Sequence, residues 1–476
     1  MSDLYQLLSD VNVQARSRLS IDSFSVPVDY AEPDGPHIRI FLRNLIPLDE
    51  AKGSGIDAAE SDLPYLLYLQ GGPGFGVDLS FSVDLGNAVS SFCPHSREGL
   101  QDLTIYYEQA SQEKTLWLDP RGTGLSTPIT ADIFQTKQMD DEAIAKYLKH
   151  FRADNIVRDC ETIRHFLLDG KKDPEARKWT ILGQSFGGFC AATYLSFHSD
   201  GLKEVFIAGG IPPMVDSPDP VYEALVVKVE ERNRVYYAKY PQDVRNVRRI
   251  LGFLEGNNVV IPNGGNLTVS RWLQLGLQFG SHGGIDRVHQ LVFRAITDLD
   301  TFGKLSYGLI DSIQKTQSFD TNPIYAVLHE PIYCQGRRAG WSAQRVIQKN
   351  DRFVWEKVRL MSDDVPIYFT GEMIFPDMFE DYHHLRPLRG AAELLAYDED
   401  WPMLYDKEAL KKNQVKVNAA TYYDDMYVDF GLVQQAASVI GNVEQLITNQ
   451  SFHDGIRKHM ESILTTLFEL SKRERD

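Results

Sequence analysis

Trp179-Thr-Ile-Leu-Gly-Gln-Ser-Phe-Gly-Gly188 is the most informative stretch of this chain. It opens with four residues typical of a buried strand and then places Ser185 in a Gly-x-Ser-x-Gly pattern. Glycines on both sides of a serine allow a strained strand-to-helix turn, the nucleophile elbow, which exposes the serine hydroxyl. We therefore predict that Ser185 is a nucleophile at the start of a helix. The alternative is a glycine turn with a purely structural role.

Three more short apolar runs end in glycine-rich turns, as the run before Ser185 does. They are residues 65–69, 115–118 and 204–208. Runs of this length followed by turns are typical of buried parallel strands. Residues 144–167, with apolar positions at mostly three- or four-residue steps, predict a helix between the second and third strands of this series. Strands and helices alternating in this way predict an α/β sheet with functional loops at the carboxyl ends of the strands.

The pattern of the sequence changes after Pro213. Residues 214–413 are mostly helical in pattern, as at 221–240 and 340–359, and strand patterns return only afterwards. We predict an α/β core interrupted by a helical cap insertion. The predicted domains are residues 1–213 for the first part of the core, 214–413 for the cap and 414–476 for the second part of the core. The second part contains strand patterns at 415–423 and 443–448 and a last helix at 455–471.

The N-terminal part of the core has a different character. Residues 24–30 and 37–43 flank the turn sequence Pro-Asp-Gly-Pro and predict an antiparallel hairpin. The small, polar residues 50–62 predict a surface loop within the domain.

The composition is that of a globular protein with an acidic surface. The chain has 476 residues, and its 24 Phe, 22 Tyr and 6 Trp can supply a large core. Its 49 basic and 66 acidic residues give a formal net charge of −17. Nucleic acids and anionic membranes bind basic surfaces, so we expect neither as a partner.

The sequence predicts neither a membrane span nor a secretory leader. Residues 1–14 lack a basic segment followed by an apolar run. The most apolar stretch, 205–215, is too short to span a bilayer. Four widely spaced cysteines without a Cys-x-x-Cys pair do not predict a disulfide framework or a structural zinc site. We expect a cytoplasmic protein.

A serine nucleophile needs a general base and a carboxylate that orients the base. In a sheet of this kind the chain order is serine, acid, histidine. Only His453 and His459 follow the last strand pattern, and His459 falls within the last predicted helix. We therefore predict His453 as the base. The loop after residues 415–423 offers the acid, and its three carboxylates, any of which is alternatively a helix N-cap, are Asp424, Asp425 and Asp429.

Acyl transfer also needs backbone N–H groups where negative charge develops. One donor is expected from Phe186, which follows the nucleophile, and a second from the loop after an earlier strand. Gly71-Gly-Pro-Gly74 follows the strand at 65–69 and exposes backbone N–H groups. We predict Gly72 rather than Gly71 as the second donor. The alternative is a plain tight turn.

Together these motifs resemble those of the proline iminopeptidases, a family of the α/β-hydrolase superfamily, and most of all its longer, fungal-type members. Gly71–Gly74 matches the end of the family motif His-Gly-Gly-Pro-Gly, with Gln70 in place of the histidine. Residues 119–126 match Asp-x-Arg-Gly-x-Gly-x-Ser. The elbow matches as well, with Phe186 where bacterial members often have Trp. We expect the differences at Gln70 and Phe186 to affect substrate preference more than the reaction chemistry.

The resemblance also selects among the carboxylates. Asp425 precedes His453 by 28 positions, which is the spacing that the resemblance implies for the acid and the histidine. We therefore prefer Asp425 to Asp424. We expect Asp119 and Arg121, in the second family motif, to brace their glycine-rich loop rather than to take part in chemistry.

The resemblance implies an α/β-hydrolase fold and removal of an N-terminal proline from short peptides by a Ser-His-Asp triad, without a metal or other cofactor. It also implies that glutamates of the cap bind the free amino terminus of the substrate. Glu330 and Glu372 each stand within an apolar, aromatic run, where a charge needs a partner, so we predict both as substrate-binding residues. Aromatic candidates for the wall of the proline pocket are Tyr333, Trp341 and Phe375.

Two other functions stay open on the sequence alone. One is an esterase or amide hydrolase with the same triad, and the other is a non-catalytic binding protein with this fold. A complete serine, acid and histidine set argues against the second. A dehalogenase or epoxide hydrolase is disfavoured because the elbow carries Ser185 instead of an aspartate. The oligomeric state is not predicted.

Overall fold

The structure, a computed structural model, describes residues 5–12, 17–47, 64–77 and 114–474. The surface loop predicted at 50–62 lies outside the described residues. The strands are β1 Tyr5–Asn12, β2 Ser17–Pro27, β3 His37–Pro47, β4 Tyr65–Leu69, β5 Lys114–Asp119, β6 Trp179–Gln184, β7 Leu202–Ala208, β8 Lys416–Tyr422 and β9 Val443–Thr448.

The α-helices of the described residues are distributed along the rest of the chain. They are α1 Ala131–Thr136, α2 Asp141–Leu148, α3 Ala153–Leu168, α4 Phe186–Phe197, α5 Asp219–Lys239, α6 Asp243–Gly256, α7 Val269–Leu273, α8 Gly284–Phe302, α9 Tyr307–Thr316, α10 Pro323–Leu328, α11 Ser342–Ile347, α12 Trp355–Val358, α13 Met378–Asp381, α14 Arg389–Tyr397, α15 Lys407–Lys411, α16 Phe430–Ala437, α17 Gly455–Lys458 and α18 Met460–Lys472. Short 3-10 helices, such as Gln274–Gly280, join several of them.

The strands form one mostly parallel sheet in the order β1-β2-β3-β5-β4-β6-β7-β8-β9. β1, β2 and β3 pair antiparallel, as does β3 with β5, and every later pairing is parallel. The predicted hairpin is β2 and β3, and the predicted buried strands are β4 to β7, so both predictions are confirmed. The parallel strands all end at the same edge of the sheet, and this edge collects the loops that follow β4, β6, β7, β8 and β9.

The two faces of the sheet are buried against different helices. Alternate strand residues point to opposite faces: Leu67 and Ile181 join the large core that includes α3 and α4, whereas Leu66 and Leu182 join a smaller core. Leu467 of α18 belongs to that smaller core. Burial on both faces explains why these strands are continuous apolar runs without alternation.

Between β7 and β8 the described chain consists of helices joined by loops, and its one β feature is an isolated bridge, Val260 to Asn266. This arrangement is compatible with a helical insertion, and its bounds at 214 and 413 stay a prediction. No helix in the described part of the chain is long and apolar enough to cross a membrane.

Three predicted helices are interrupted. The 144–167 helix breaks where Arg152 adopts an extended backbone (φ −96°, ψ 179°), because its side chain reaches into the inserted helical segment. The 340–359 helix divides at Asn350, whose side chain accepts a hydrogen bond from the Arg352 backbone. The last helix breaks at His459, which lies exposed between α17 and α18. Apolar periodicity does not detect such local polar turns.

Candidate active site

Ser185 lies in a strained turn between β6 and α4. Its backbone has φ 53° and ψ −122°, a left-handed φ that costs energy in a residue with a side chain. Tight packing holds the turn in place. A Cβ on Gly187 would lie 1.9 Å from the Leu69 carbonyl oxygen, and one on Gly183 would lie 2.4 Å from the Gly187 oxygen. The flanking glycines therefore serve the close approach of strand and helix that an elbow requires.

Three distant side chains form one continuous hydrogen-bond chain at the edge of the sheet. The Nε2 atom of His453 lies 2.8 Å from the Ser185 Oγ, and its Nδ1 lies 2.8 Å from Asp425 Oδ2. The imidazole is thus placed to accept the hydroxyl proton of Ser185 and to donate its own N–H to Asp425.

Backbone groups hold the Asp425 carboxylate in its orientation. Its Oδ1 accepts the N–H groups of Tyr427 at 2.8 Å and Val428 at 3.1 Å. Its side chain is buried. One oxygen is therefore fixed by the loop, which leaves Oδ2 for His453.

The other two carboxylates of this loop have different partners. Asp424 is partly exposed and lies 3.5 Å from the Lys228 ammonium. Asp429 caps α16, since its side chain accepts a hydrogen bond from the Leu432 backbone N–H at 2.9 Å. Of the three predicted candidates, Asp425 alone contacts His453 among the contacts that the structure describes.

The surroundings of His453 favour its protonated form. Burial by itself lowers the pKa of this imidazole, but the charge and hydrogen bond of the adjacent Asp425 carboxylate act against burial, and the net pKa lies above its ordinary value. The carboxylates of Glu372 and Asp454 raise the pKa further. These groups stabilise the imidazolium that forms when the histidine removes a proton.

The Gly71–Gly74 loop packs directly against the elbow. A Cβ on Gly71 would lie 3.0 Å from the Ser185 Cβ. Within the described residues, neither the Gly72 N–H nor the Phe186 N–H donates to a protein acceptor. Neither predicted donor is thus used by the described fold, their oxyanion role stays a prediction, and the amino end of α4 adds partial positive charge beside Ser185.

Gln70 ties the two ends of this loop together. It is buried, its Oε1 accepts the Tyr68 hydroxyl at 2.9 Å, and its Nε2 donates to the Gly76 carbonyl at 3.3 Å. Gln70, which stands where the family motif has a histidine, therefore braces the loop.

Asp119 and Arg121 brace the neighbouring loop, as their sequence context predicts. The Asp119 carboxylate accepts the backbone N–H groups of Val77 at 2.7 Å and Leu125 at 2.9 Å. Arg121 makes a bidentate pair with Asp159 at 2.8 and 2.6 Å. The described hydrogen bonds of both side chains are made to other groups of the protein.

Glu372 acts electrostatically on His453. It is half-buried and its Oε1 accepts the hydroxyl of Tyr325, on α10. No described residue donates to its other oxygen, Oε2. The carboxylate raises the pKa values of His453 and of buried Tyr427. Glu372 therefore places a negative charge with a free acceptor in the vicinity of the triad.

Glu330 has a different environment. It is buried, and its two oxygens accept the backbone N–H groups of Ser342 at 3.0 Å and Ala343 at 2.9 Å, at the start of α11. Burial raises its pKa to about 7, against the lowering effect of these two bonds. Its substrate-binding role stays a prediction, and the contacts described here are those of a helix anchor.

The three predicted aromatic residues lie in different surroundings. Tyr333 is buried with its ring centroid 5.7 Å from that of Phe189 on α4. Burial raises the pKa of Tyr333, and the charges of Glu372 and Asp425 raise it further. The indole N–H of Trp341 donates to Glu393 at 2.8 Å, and Phe375 is buried.

Sequence reasoning missed several polar groups around the site. Tyr325 bonds Glu372, and the ring centroid of Tyr427 lies 4.7 Å from that of His453. The hydroxyl of Tyr222 and the Nδ1 of His329 are buried without a hydrogen-bond partner among the described residues. All lie in aromatic-rich segments that resemble ordinary core, so only their isolated polar atoms could have drawn attention.

Two sequence relatives that are 38–39% identical to this chain share one family. Residues 65–247 match the model of the alpha/beta hydrolase fold, which confirms the predicted fold class. Proline iminopeptidase aneH of Aspergillus aculeatus is 39% identical over 458 residues, covering 96% of this chain and 94% of that protein. Proline iminopeptidase of Aeromonas sobria is 38% identical over 451 residues, covering 94% and 95%. The crystal structure of a proline iminopeptidase from Mycobacterium smegmatis is 12% identical, with a TM-score of 0.40 and coverage of 94% and 98%.

Proposed function

Because the chain belongs to the proline iminopeptidase family of α/β hydrolases, we propose that it is a serine aminopeptidase that releases N-terminal proline from short peptides. The observation that carries this proposal is the unbroken hydrogen-bond chain from Asp425 through His453 to Ser185, with both bonds of the imidazole at 2.8 Å. In this proposal the reaction needs no metal or other cofactor.

Ser185 acts as the nucleophile. Its Oγ attacks the carbonyl carbon of the N-terminal proline while His453 Nε2 accepts the hydroxyl proton. The N–H groups of Gly72 and Phe186 donate to the oxyanion of the tetrahedral intermediate. His453 then gives the proton to the leaving amine of the second residue, and a water molecule activated by the same imidazole hydrolyses the prolyl ester. Asp425 keeps the imidazole in the required tautomer.

The amino terminus of the substrate pairs with Glu372. A charged amine that leaves water needs a carboxylate partner. Glu372 has an oxygen with no described donor, and its charge acts on His453. Tyr325 holds the other oxygen and so orients the pair. Both oxygens of Glu330 already accept backbone N–H groups. We therefore propose that Glu372 is the main partner of the substrate amine and that Glu330 contributes less to its binding.

The test of this function is the Ser185→Ala variant. We expect the wild type to cleave prolyl-arylamides and the variant to lose on the order of 10⁶-fold in kcat, as other serine peptidases do when the nucleophile is removed. The far-ultraviolet circular dichroism and thermal unfolding of the variant should match the wild type, because Ser185 Oγ makes no bond essential to the fold. Retained turnover in Ser185→Ala would remove the mechanism.

A further inference from the structure

One segment of the helical region between β7 and β8, residues 277–284, contacts the loop of His453. We call this segment the clasp. It comprises the end of the 3-10 helix Gln274–Gly280 and the turn that leads into α8. The clasp touches residues on both sides of His453 in the chain, and also the loop that carries Asp425.

The first contact joins His282 of the clasp to Asp454, the residue after His453. The Nδ1 of His282 donates to Asp454 Oδ1 at 2.5 Å, and the His282 backbone N–H lies 3.2 Å from Oδ2. Arg287 supports the turn by donating to the His282 carbonyl at 2.8 Å. The carboxylate next to the catalytic imidazole is therefore bound by both the ring and the backbone of one clasp residue.

The second contact passes through Tyr427. Its hydroxyl donates to the Leu277 carbonyl, and its ring lies edge-on to the His453 ring with centroids 4.7 Å apart. Gly280 makes this approach possible, because a Cβ there would lie 2.5 Å from the Tyr427 ring. Through this hydrogen bond the clasp holds the Tyr427 ring where it packs against the His453 imidazole.

The third contact surrounds Phe452, the residue before His453. The His282 ring lies 5.1 Å from the Phe452 ring, and the Arg232 guanidinium lies 4.6 Å from the same ring. Arg232 also donates to the Phe279 carbonyl at 3.1 Å. Both chain neighbours of His453 are therefore attached to the clasp, while His453 itself reaches into the sheet edge.

We propose that His282 is a positioning residue for the catalytic base: through Asp454 it ties the His453 loop to the inserted helical region, so that the imidazole is aligned with Ser185 only when the clasp is docked. The inference rests on the proposed role of His453. Loss of this tie should lower the rate, because a displacement of a catalytic group by about 1 Å can cost about 100-fold in rate.

The test compares three single variants. His282→Ala removes the ring donor, and we expect kcat for a prolyl-arylamide to fall tenfold or more while KM changes less than threefold. His282→Asn places an amide N–H near the position of Nδ1, so it should recover most of the lost kcat. His289→Ala is the matched control: His289 also bonds an aspartate, Asp243 at 2.7 Å, but none of its described contacts is with the clasp, and its kcat should stay within twofold of wild type.

A coupling measurement and a substrate-independent readout complete the test. Asp454→Ala should lower kcat at least as much as His282→Ala, and adding His282→Ala to it should lower kcat no further. The rate of Ser185 labelling by a fluorophosphonate should follow the same order in all variants. If the wild type labels but does not cleave prolyl substrates, the proposed substrate is wrong while the positioning role is still measured by labelling.

Three results would overturn the inference. They are an unchanged kcat and labelling rate in His282→Ala, an equal loss in His289→Ala, and an additive loss in the double variant.

Discussion

Asp424 and Asp425 are neighbours in the chain, yet only Asp425 bonds the imidazole of His453. Its second oxygen accepts two backbone N–H groups, whereas Asp424 pairs with Lys228 near the surface. A pair of adjacent carboxylates with such different contacts offers a sharp internal control.

We expect Asp425→Asn to lower kcat by about 10³- to 10⁴-fold, because an amide stabilises the wrong imidazole tautomer and cannot neutralise the imidazolium. Asp424→Asn removes the same charge one residue away and should change kcat less than twofold. Steady-state kinetics of the two variants with a prolyl-arylamide check the assignment. A larger loss in Asp424→Asn would transfer the role of acid to that residue.

The pH dependence of the reaction follows from the raised pKa of His453. The base must be neutral to accept a proton, so kcat/KM is lost as the pH falls through the pKa of this imidazole. Since Asp425 raises that pKa above 6.5, the ordinary value, the midpoint of the acidic limb should lie above 6.5. A profile of kcat/KM against pH measures it, and a midpoint below 6.5 would contradict the charge environment described for His453.

At the scale of single residues, the contact between Ser185 and His453 could be anticipated because each residue lies in a short local pattern after a strand. Asp425 required the spacing that the family resemblance implies, since the sequence alone left three carboxylates. Tyr325 and Tyr427 could not be predicted. Their roles depend on which tyrosine of an aromatic-rich segment folds back onto a polar atom, and that is a property of tertiary packing.

At the scale of elements, two glutamates of the inserted region have separate tasks. Glu330 anchors the start of α11 through two backbone bonds, and Glu372 follows a buried segment with one oxygen unbound by the described residues. Both stand in similar apolar sequence, so their difference arises only when α11 packs against Glu330.

We expect Glu372→Gln to lower kcat/KM for a free prolyl-arylamide by about 10- to 100-fold, because a hydrogen bond to a charged group is worth about 1.5–3 kcal/mol. Its thermal stability should stay close to wild type. In Glu330→Gln the amide N–H₂ faces one of the two backbone N–H donors, which then has no acceptor. We therefore expect the free energy of unfolding to fall by about 1–3 kcal/mol. Kinetics and thermal unfolding of both variants, measured side by side, separate the two roles; the reverse pattern would exchange them.

Element boundaries were harder to predict than element types. The strands β4 to β7 follow from apolar runs with glycine turns, since burial on both faces leaves a clear signal. The helix predicted at 144–167 breaks at Arg152 because that side chain donates to the Pro331 and Cys334 carbonyls at 2.9 and 2.8 Å. A contact between residues almost 180 positions apart leaves no local trace in the sequence.

At the scale of the whole molecule, the inserted helices dock on each part of the site. Gly74 and Gly122 pack against Ile324 and Tyr325 of α10, where an added Cβ would lie 2.5–2.6 Å from their atoms. The clasp holds the His453 loop, and Arg152, fully buried, donates to carbonyls beyond Glu330. We propose that these helices limit access to Ser185 to short peptides.

The most direct test of this account compares one substrate in two forms. The wild-type enzyme is assayed with a prolyl-arylamide and with the same compound acetylated on its nitrogen, and Ser185→Ala serves as the blank. Acetylation removes the charge that Glu372 is proposed to bind, so kcat/KM should fall by about 100-fold or more. Equal turnover of the free and blocked substrates would contradict the aminopeptidase function and favour an esterase or amide hydrolase that uses the same triad.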